Sequence, residues 1–361
     1  MPSRAFVVKR FDEFAKSLSS RDRIVLLYDT DTDGVSAGVI VTKALGQICP
    51  KAKIFPMIQE HIHGELLEET LKKIEKLKPS KVIITDLAFD HAPKNLKKLS
   101  KLFPVLFIDH HPNYNGDLNS KNLAYVKSGA LWKGEIAKYP ASKMCYDLFS
   151  RHAELKKEKW IAAVGVIGDY SSRPWKKFIH KAAKESKSSL KELAKCARLS
   201  KATESISVSN VKPLYEFLLK AKSPKQLLRS RFGNFLKRVD KAEKKAVRGF
   251  EKNAQHFPEQ HVHFYVLKGI INIKSVAASV ISFSHFHETI FVFQPEDGKY
   301  SFSVRRQDGK IELNKLIEKV LPKLKGAKGG GHKYASAGII RKQDLEKFEK
   351  LVVKELTSSP H

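Results

Sequence analysis

The run IVLLYDTDTDG, residues 24–34, decides how this sequence is read. Ile24 to Tyr28 form a short, unbroken apolar stretch, the pattern of a strand covered on both faces. Asp29 closes it, Asp31 and Asp33 follow, and beyond Gly34 the sequence VSAGVIVTKALGQI takes helical spacing. Working outward, AKIFPMI (52–58), KVIITD (81–86) and VLFIDHH (105–111) read as further strands, with ELLEETLKKIEKL and NLKKLSKL as helices between them. Apolar strands separated by amphipathic helices define an α/β domain with a doubly wound parallel sheet.

Strand signals vanish between about Lys176 and Asn253, where basic segments with helical spacing take over, and they return in VHFYVLKGI, TIFVFQP and YSFSVRR from His261 onward. The expected organisation is a catalytic α/β domain over 1–180, a basic helical connector over 181–255 and a smaller α/β domain over 256–361. The cationic side of the connector reads either as the lining of a substrate path or as a solvated face. In the last domain INIKSVAASVISFSH and IELNKLIEKVLPKL read as helices. The Gly-rich KGGGH by itself reads as a flexible turn, and with His332 in it and a helix-like YASAGII after it, as a phosphate or nucleotide cradle.

The chain has 361 residues, with 67 lysines and arginines against 38 acidic residues, a formal charge of +29. Such a field attracts polyanions, nucleic acid first among them. A lysine-rich thermophile surface is the competing reading, but ion-pair networks balanced in sign would not leave this excess. No apolar run reaches membrane-spanning length and the N-terminus lacks a signal-peptide core, so a soluble, cytoplasmic protein without membrane association is expected. Cys49, Cys145 and Cys196 lie far apart and are expected in the core rather than in disulfides or a zinc knuckle.

Three strands end in aspartate: Asp29, Asp86 and Asp109, the last followed by His110 and His111. Ligand sites of open parallel sheets form outside the carboxyl ends of strands, so these groups should converge on one rim. That much negative charge must be neutralised by cations or else take up protons. Mixed carboxylate and imidazole donors suit Mn²⁺ better than Mg²⁺, which favours oxygen shells. A pair of such ions activates water and clamps phosphate oxygens, which points to phosphoester hydrolysis.

DTDTDG, the Asp86 of VIITD, DHHP and the Asp169 of GVIGDYS resemble, in order, the four motifs of the DHH phosphoesterases. GGGHKYASAGI is similar to the signature of the C-terminal domain that accompanies them, and the nearest likeness is to RecJ-like exonucleases, archaeal members included. The resemblance implies that the first domain is a DHH domain and the last a DHH-associated, substrate-binding domain. It implies two Mn²⁺ ions, with Mg²⁺ as an alternative, held by Asp31 and Asp33 on separate metals, Asp86 as the bridge, and His110 and Asp169. Asp29 stands where many relatives carry histidine and RecJ-type members carry aspartate. His111 would face the substrate phosphate or support the site, and Asp109 would orient His110. Gly329, Gly330, Gly331 and His332 would cradle phosphate, with Arg305 of SVRR (Ser303 to Arg306) in the arginine position.

His61 and His63 read as surface residues, and PMIQEHIHG lacks the Arg and Gly-Tyr-Gly common near this place in RecJ relatives. Tyr114 and Trp132 are candidates for base stacking, Phe107 belongs in the core, and Ser36 and Ser142 read as helix caps. Three functions are expected in order: an exonuclease on single-stranded DNA or RNA with its cleft between the domains; a phosphodiesterase on oligoribonucleotides or cyclic dinucleotides, favoured by the lack of room for an added nucleic-acid-binding domain; and a non-catalytic subunit in a complex of replication or repair proteins.

Overall fold

The computed structural model describes residues 2–59, 64–112 and 115–358 and divides into two compact units, Met1–Leu236 and Lys237–His361. In the first, five parallel strands stand in the order β2-β1-β3-β4-β5. They are β1 (Arg23–Tyr28), β2 (Lys53–Ile58), β3 (Lys81–Thr85), β4 (Val105–Asp109) and β5 (Leu123–Lys127). The expected doubly wound sheet is present. Pro56 sits in β2, at the sheet edge, where a missing N–H is tolerated.

Helices follow as α1 (Arg4–Lys16), α2 (Thr32–Ile48), α3 (Glu68–Leu77), α4 (Lys94–Leu102), α5 (Ser128–Leu131), α6 (Ala141–Phe149), α7 (Lys159–Gly168), α8 (Lys176–Glu185), α9 (Leu190–Ile206), α10 (Val211–Lys220) and α11 (Pro224–Arg229). One sheet face packs Val25, Leu27, Val82, Ile84 and Phe107 against Leu71, Ile74, Leu96 and Leu99 of α3 and α4. Phe107 is core, as its place in the strand suggests. Helix α2 is buried along most of its length and packs on α6 and α7; α9 packs on α7. The segment read as a connector is thus divided, its helices through Arg229 belonging to the first unit. The fifth strand escaped the sequence reading because LAYVK ends in a lysine, whose charge is cancelled by carboxylates distant in sequence.

The second unit holds α12 (Phe232–Asn253) from Lys237 onward, and six strands: β6 (Gln255–Phe257), β7 (Val262–Val266), β8 (Thr289–Glu296), β9 (Lys299–Arg305), β10 (Lys328–His332) and β11 (Ala335–Arg341). Their order is β10-β11-β9-β8-β7-β6, antiparallel except for the β7–β8 pair. Phe291, Phe293, Phe302 and Val304 build one face against α14 (Leu313–Val320) and α15 (Leu345–Thr357). Residues of opposite parity face α13 (Lys274–Ser284), since Arg305 reaches its Ser275 and Ser279.

Two readings of this unit are corrected. KGGGH is an edge strand rather than a turn, and Ala335–Arg341 is a strand between two antiparallel neighbours rather than a helix. Its small residues answer to space: a Cβ on Gly338 would lie 2.6 Å from the Phe302 ring. The cap readings also change. Ser36 lies inside α2, whose N-cap is Asp31, and Ser142 is the second residue of α6. Among the described residues the three cysteines are free and buried, and no helix is long and apolar enough to cross a membrane.

Gly165 brings α7 against α6 so closely that a Cβ there would stand 2.3 Å from Ser142 Oγ and 2.8 Å from Asp33 Oδ1. Gly165→Ala should therefore cost about 1–3 kcal/mol of overpacking. Urea unfolding checks this, and an unchanged midpoint would refute the tight α6–α7 contact.

Candidate metal centre

The strand order reverses between β1 and β3, and crevices open at the carboxyl ends of strands at such switch points. Asp29 follows β1, Asp86 follows β3, and Asp109 and His110 lie at the end of β4. Asp86 takes φ 61°, a left-handed conformation that costs a side-chain-bearing residue energy and that recurs at functional sites. Its Oδ1 is buried and has no hydrogen-bond partner among the described residues. His110 Nε2 stands 3.3 Å from that oxygen and 4.0 Å from Asp169 Oδ1.

Ligand atoms of Asp86, His110 and His111 lie within 4.8 Å of one another, and so do those of Asp29, Asp31 and Asp86. Asp86 is common to both groups. Asp31 is held as the N-cap of α2, one carboxylate oxygen accepting the N–H groups of Asp33 (2.8 Å) and Gly34 (2.9 Å). Asp33 lies outside both groups: its oxygens accept the N–H of Ala141 at 2.6 Å and of Ser142 at 3.2 Å, tying α2 to the start of α6. Asp169, the C-cap of α7, accepts the Ser171 hydroxyl at 2.7 Å.

The role expected for Asp109 is corrected. It bonds Nδ1 of His111, at 2.7 Å, and not His110, whose Nδ1 meets the Ala137 carbonyl at 3.0 Å. That nitrogen must carry the hydrogen, which leaves the Nε2 lone pair directed at Asp86. Asp109 is fixed in turn by buried Lys127 of β5, which also pairs with Asp90. Lys127, Asp90 and Tyr170 were missed from sequence. Lys127 is a charged residue at the end of a strand that the sequence reading passed over, Asp90 lies four residues past Asp86, and Tyr170, 85% exposed, directly follows Asp169.

Burial drives the electrostatics. It raises the pKa of Asp29, with Asp31 adding to the effect; of Asp33, with Asp169 and Asp31; and of Asp86, with Asp33, Asp31 and Asp29. Asp169 is pushed up to about 6 by burial and Asp31, against the Ser171 bond. Burial and neighbouring His111 lower His110 to about 4, so its imidazole is neutral at physiological pH. Asp109, despite its burial, is held well below the usual carboxylate range by Lys127 and His111. Carboxylates in this state gain most from cations, and oxygen with imidazole nitrogen is a donor set for divalent ions such as Mn²⁺.

In the second unit, register aligns Arg305, Ala335 and His332 in one row across β9, β11 and β10. Arg305 and His332 thus share a sheet face about 10 Å apart. The Arg305 guanidinium is steadied by Ser275, Ser279 and the Val304 carbonyl, whereas Arg306 is buried against Asp308 and Thr289. Gly329 to Gly331 lie in β10, and an edge strand leaves alternate N–H groups unpaired by its neighbour. Trp132 packs against Tyr139 and Trp175. His61, His63 and Tyr114 lie outside the described residues.

A carboxylate whose folded pKa is raised favours folding below its unfolded pKa, and that contribution is lost as pH rises through the folded value. The metal-free chain should therefore be increasingly penalised above about pH 4. Asp86→Asn removes part of this penalty. Its melting temperature, measured in chelator, should exceed that of the wild type by more at pH 8 than at pH 5, while Mn²⁺ should stabilise the wild type alone. A gap independent of pH would contradict the assignment.

Residues 271–358 match the DHHA1 domain family. An uncharacterized protein of Methanocaldococcus jannaschii is 29% identical over 175 residues, which is 47% of this chain and 39% of that protein, so the chain spans well under half of this relative's length. Exonuclease RecJ bound to manganese superposes with a TM-score of 0.76 at 17% identity, covering 100% of this chain and 96% of the other. RecJ from Thermus thermophilus in complex with Mn²⁺ gives 0.72 at 16% identity, covering 100% of this chain and 56% of that one. At these identities the likeness is one of fold. The chain thus carries a DHHA1 domain over residues 271–358 and shares its fold with the RecJ structures.

Proposed function

We propose that this protein is a divalent-metal-dependent phosphodiesterase that shortens single-stranded nucleic acid from an end. The observation that carries the reading is Asp86: a buried carboxylate oxygen without a hydrogen-bond partner among the described residues, shared by two groups of acidic and imidazole donors at a sheet switch point. Asp29, Asp31, His110 and Asp169 would hold the ions together with Asp86, and Mn²⁺ is the ion best suited to the set. Such ions, when bound, polarise a phosphate and lower the pKa of water. The chain's own groups do the positioning. Asp33 locks α2 to α6, and Asp109 with Lys127 orients His111 as a donor to a phosphate oxygen. Tyr170 offers an exposed ring on which a base can stack.

The substrate class rests on charge. On α12, Arg238, Lys241, Lys245, Arg248 and Lys252 recur at steps of three and four, and they line a cavity of about 630 Å³ together with Tyr265, Leu267 and Ile270. No acidic residue lines it among the described residues. A cationic stripe beside aromatic and apolar surface suits a single strand, with phosphates on one side and bases on the other. Arg305, Gly329 to Gly331 and His332 form a further anion-binding surface in this reading.

With Mn²⁺, a long end-labelled strand should be degraded stepwise, and Asp86→Asn should reduce turnover about 10³-fold while strand binding persists. Cleavage of a dinucleotide but not of the long strand would replace this substrate with a short one, and full activity in Asp86→Asn would remove the metal site. Replacing Lys241, Lys245 and Arg248 by alanine should weaken strand binding and reduce the slope of log K against log salt by about 2. An unchanged slope would take the stripe out of the substrate path.

A further inference from the structure

The second unit contains a histidine cluster that the proposed hydrolysis does not use. Strands β6 and β7 pair with His256 opposite His263, so both side chains leave the same sheet face. Their rings stack with centroids 3.9 Å apart and planes 3° from parallel. Both direct Nε2 at one carboxylate: His263 lies 2.9 Å from Glu288 Oε2, and His256 lies 3.4 Å from Glu288 Oε1. His285 brings a third ring, its Nδ1 2.7 Å from Glu288 Oε2. Ligand atoms of His256, His263 and Glu288 fall within 4.8 Å of one another.

The surroundings favour a cation. His285 is the C-cap of α13, whose last turn carries no basic residue, and the end of a helix at which its carbonyls collect attracts positive charge. His285 Nε2 lies 3.4 Å from Glu251 Oε1, in the last turn of α12. A carboxylate behind an imidazole in this way presents the other ring nitrogen to a metal and raises its basicity. Phe250, which is buried, packs its ring 5.2 Å from both His263 and His285, closing the inner side with an apolar wall. The His256 side chain, 40% exposed on the edge strand, leaves the outer side open to an entering ion.

We propose that His256, His263 and Glu288, with His285 as fourth donor, form a second divalent-metal site of the zinc class. Three imidazole nitrogens and one carboxylate oxygen are donors that zinc accepts, and together they complete a four-coordinate shell. The ion would pin the β6–β7 hairpin to the end of α13. Nitrogen-rich donors also separate it from the carboxylate-rich centre of the first unit, which suits a harder ion.

The test uses the full chain carrying Asp86→Asn and His110→Ala, which takes donors from the first centre. After chelation, it is dialysed against Zn²⁺ and its bound metal counted. This chain should retain one tightly held zinc, and adding His256→Ala or Glu288→Gln should remove that equivalent. Glu251→Gln should weaken zinc binding about tenfold or more. Zinc should raise the melting temperature of the parent chain and leave that of the His256→Ala chain unmoved; His256 sits on an edge strand, so its loss spares the fold. Equal zinc content with and without His256→Ala, or a melting temperature that zinc raises equally in both, would overturn the site.

Discussion

Three buried carboxylates, Asp29, Asp33 and Asp86, stand at the carboxyl edge of one sheet with pKa values pushed up by burial and by neighbouring carboxylates, Asp31 acting on all three. Like charges this close and this dry must be neutralised, and most of the first unit's polar architecture is arranged around that demand. The N–H groups at the start of α2 hold Asp31, those at the start of α6 hold Asp33, and Lys127 takes the charge of Asp109 and Asp90. Each device stabilises a carboxylate at the rim of the cluster. None reaches Asp86 Oδ1, at its centre. Among the described residues, Asp86 Oδ1 is the buried carboxylate oxygen without a hydrogen-bond partner, and Asp86 is also shared by both donor groups; that coincidence carries the functional reading.

The second unit is built on a different plan. One row of residues, one from each strand, crosses its whole sheet: His332, Ala335, Arg305, Ile290, His263 and His256. Polar and cation-seeking groups occupy both ends and the middle of this row on the face toward α13, while the opposite face is closed by phenylalanines against α14 and α15. One face is thus packed by α14 and α15, while the other combines packing by α13 with this row of polar groups.

Strand ends were the most legible part of the sequence, because a continuous apolar run followed by aspartate means the same thing wherever it occurs in a parallel sheet. IVLLYD, KVIITD and VLFIDHH gave the rim and most of its donors. Legibility failed where meaning depends on partners. LAYVK becomes a strand only when Asp90 and Asp109 neutralise Lys127. ASAGIIR looks helical by its alanines, yet it is a strand because Phe302 demands small residues opposite it. Neighbours in sequence also misled: Asp109 touches His110 in the chain but bonds His111, since the ring of His110 is turned to the Ala137 carbonyl. The pairing of His256 with His263 is a matter of hairpin register, which spacing alone does not reveal.

Anomalous diffraction at the manganese edge, from crystals of the chain grown with Mn²⁺, tests the central claim most directly. Two peaks are expected about 3.5–4 Å apart, with an Asp86 oxygen on each and His110 Nε2 on one of them. Manganese bound elsewhere, with Asp86 still unliganded, would contradict it.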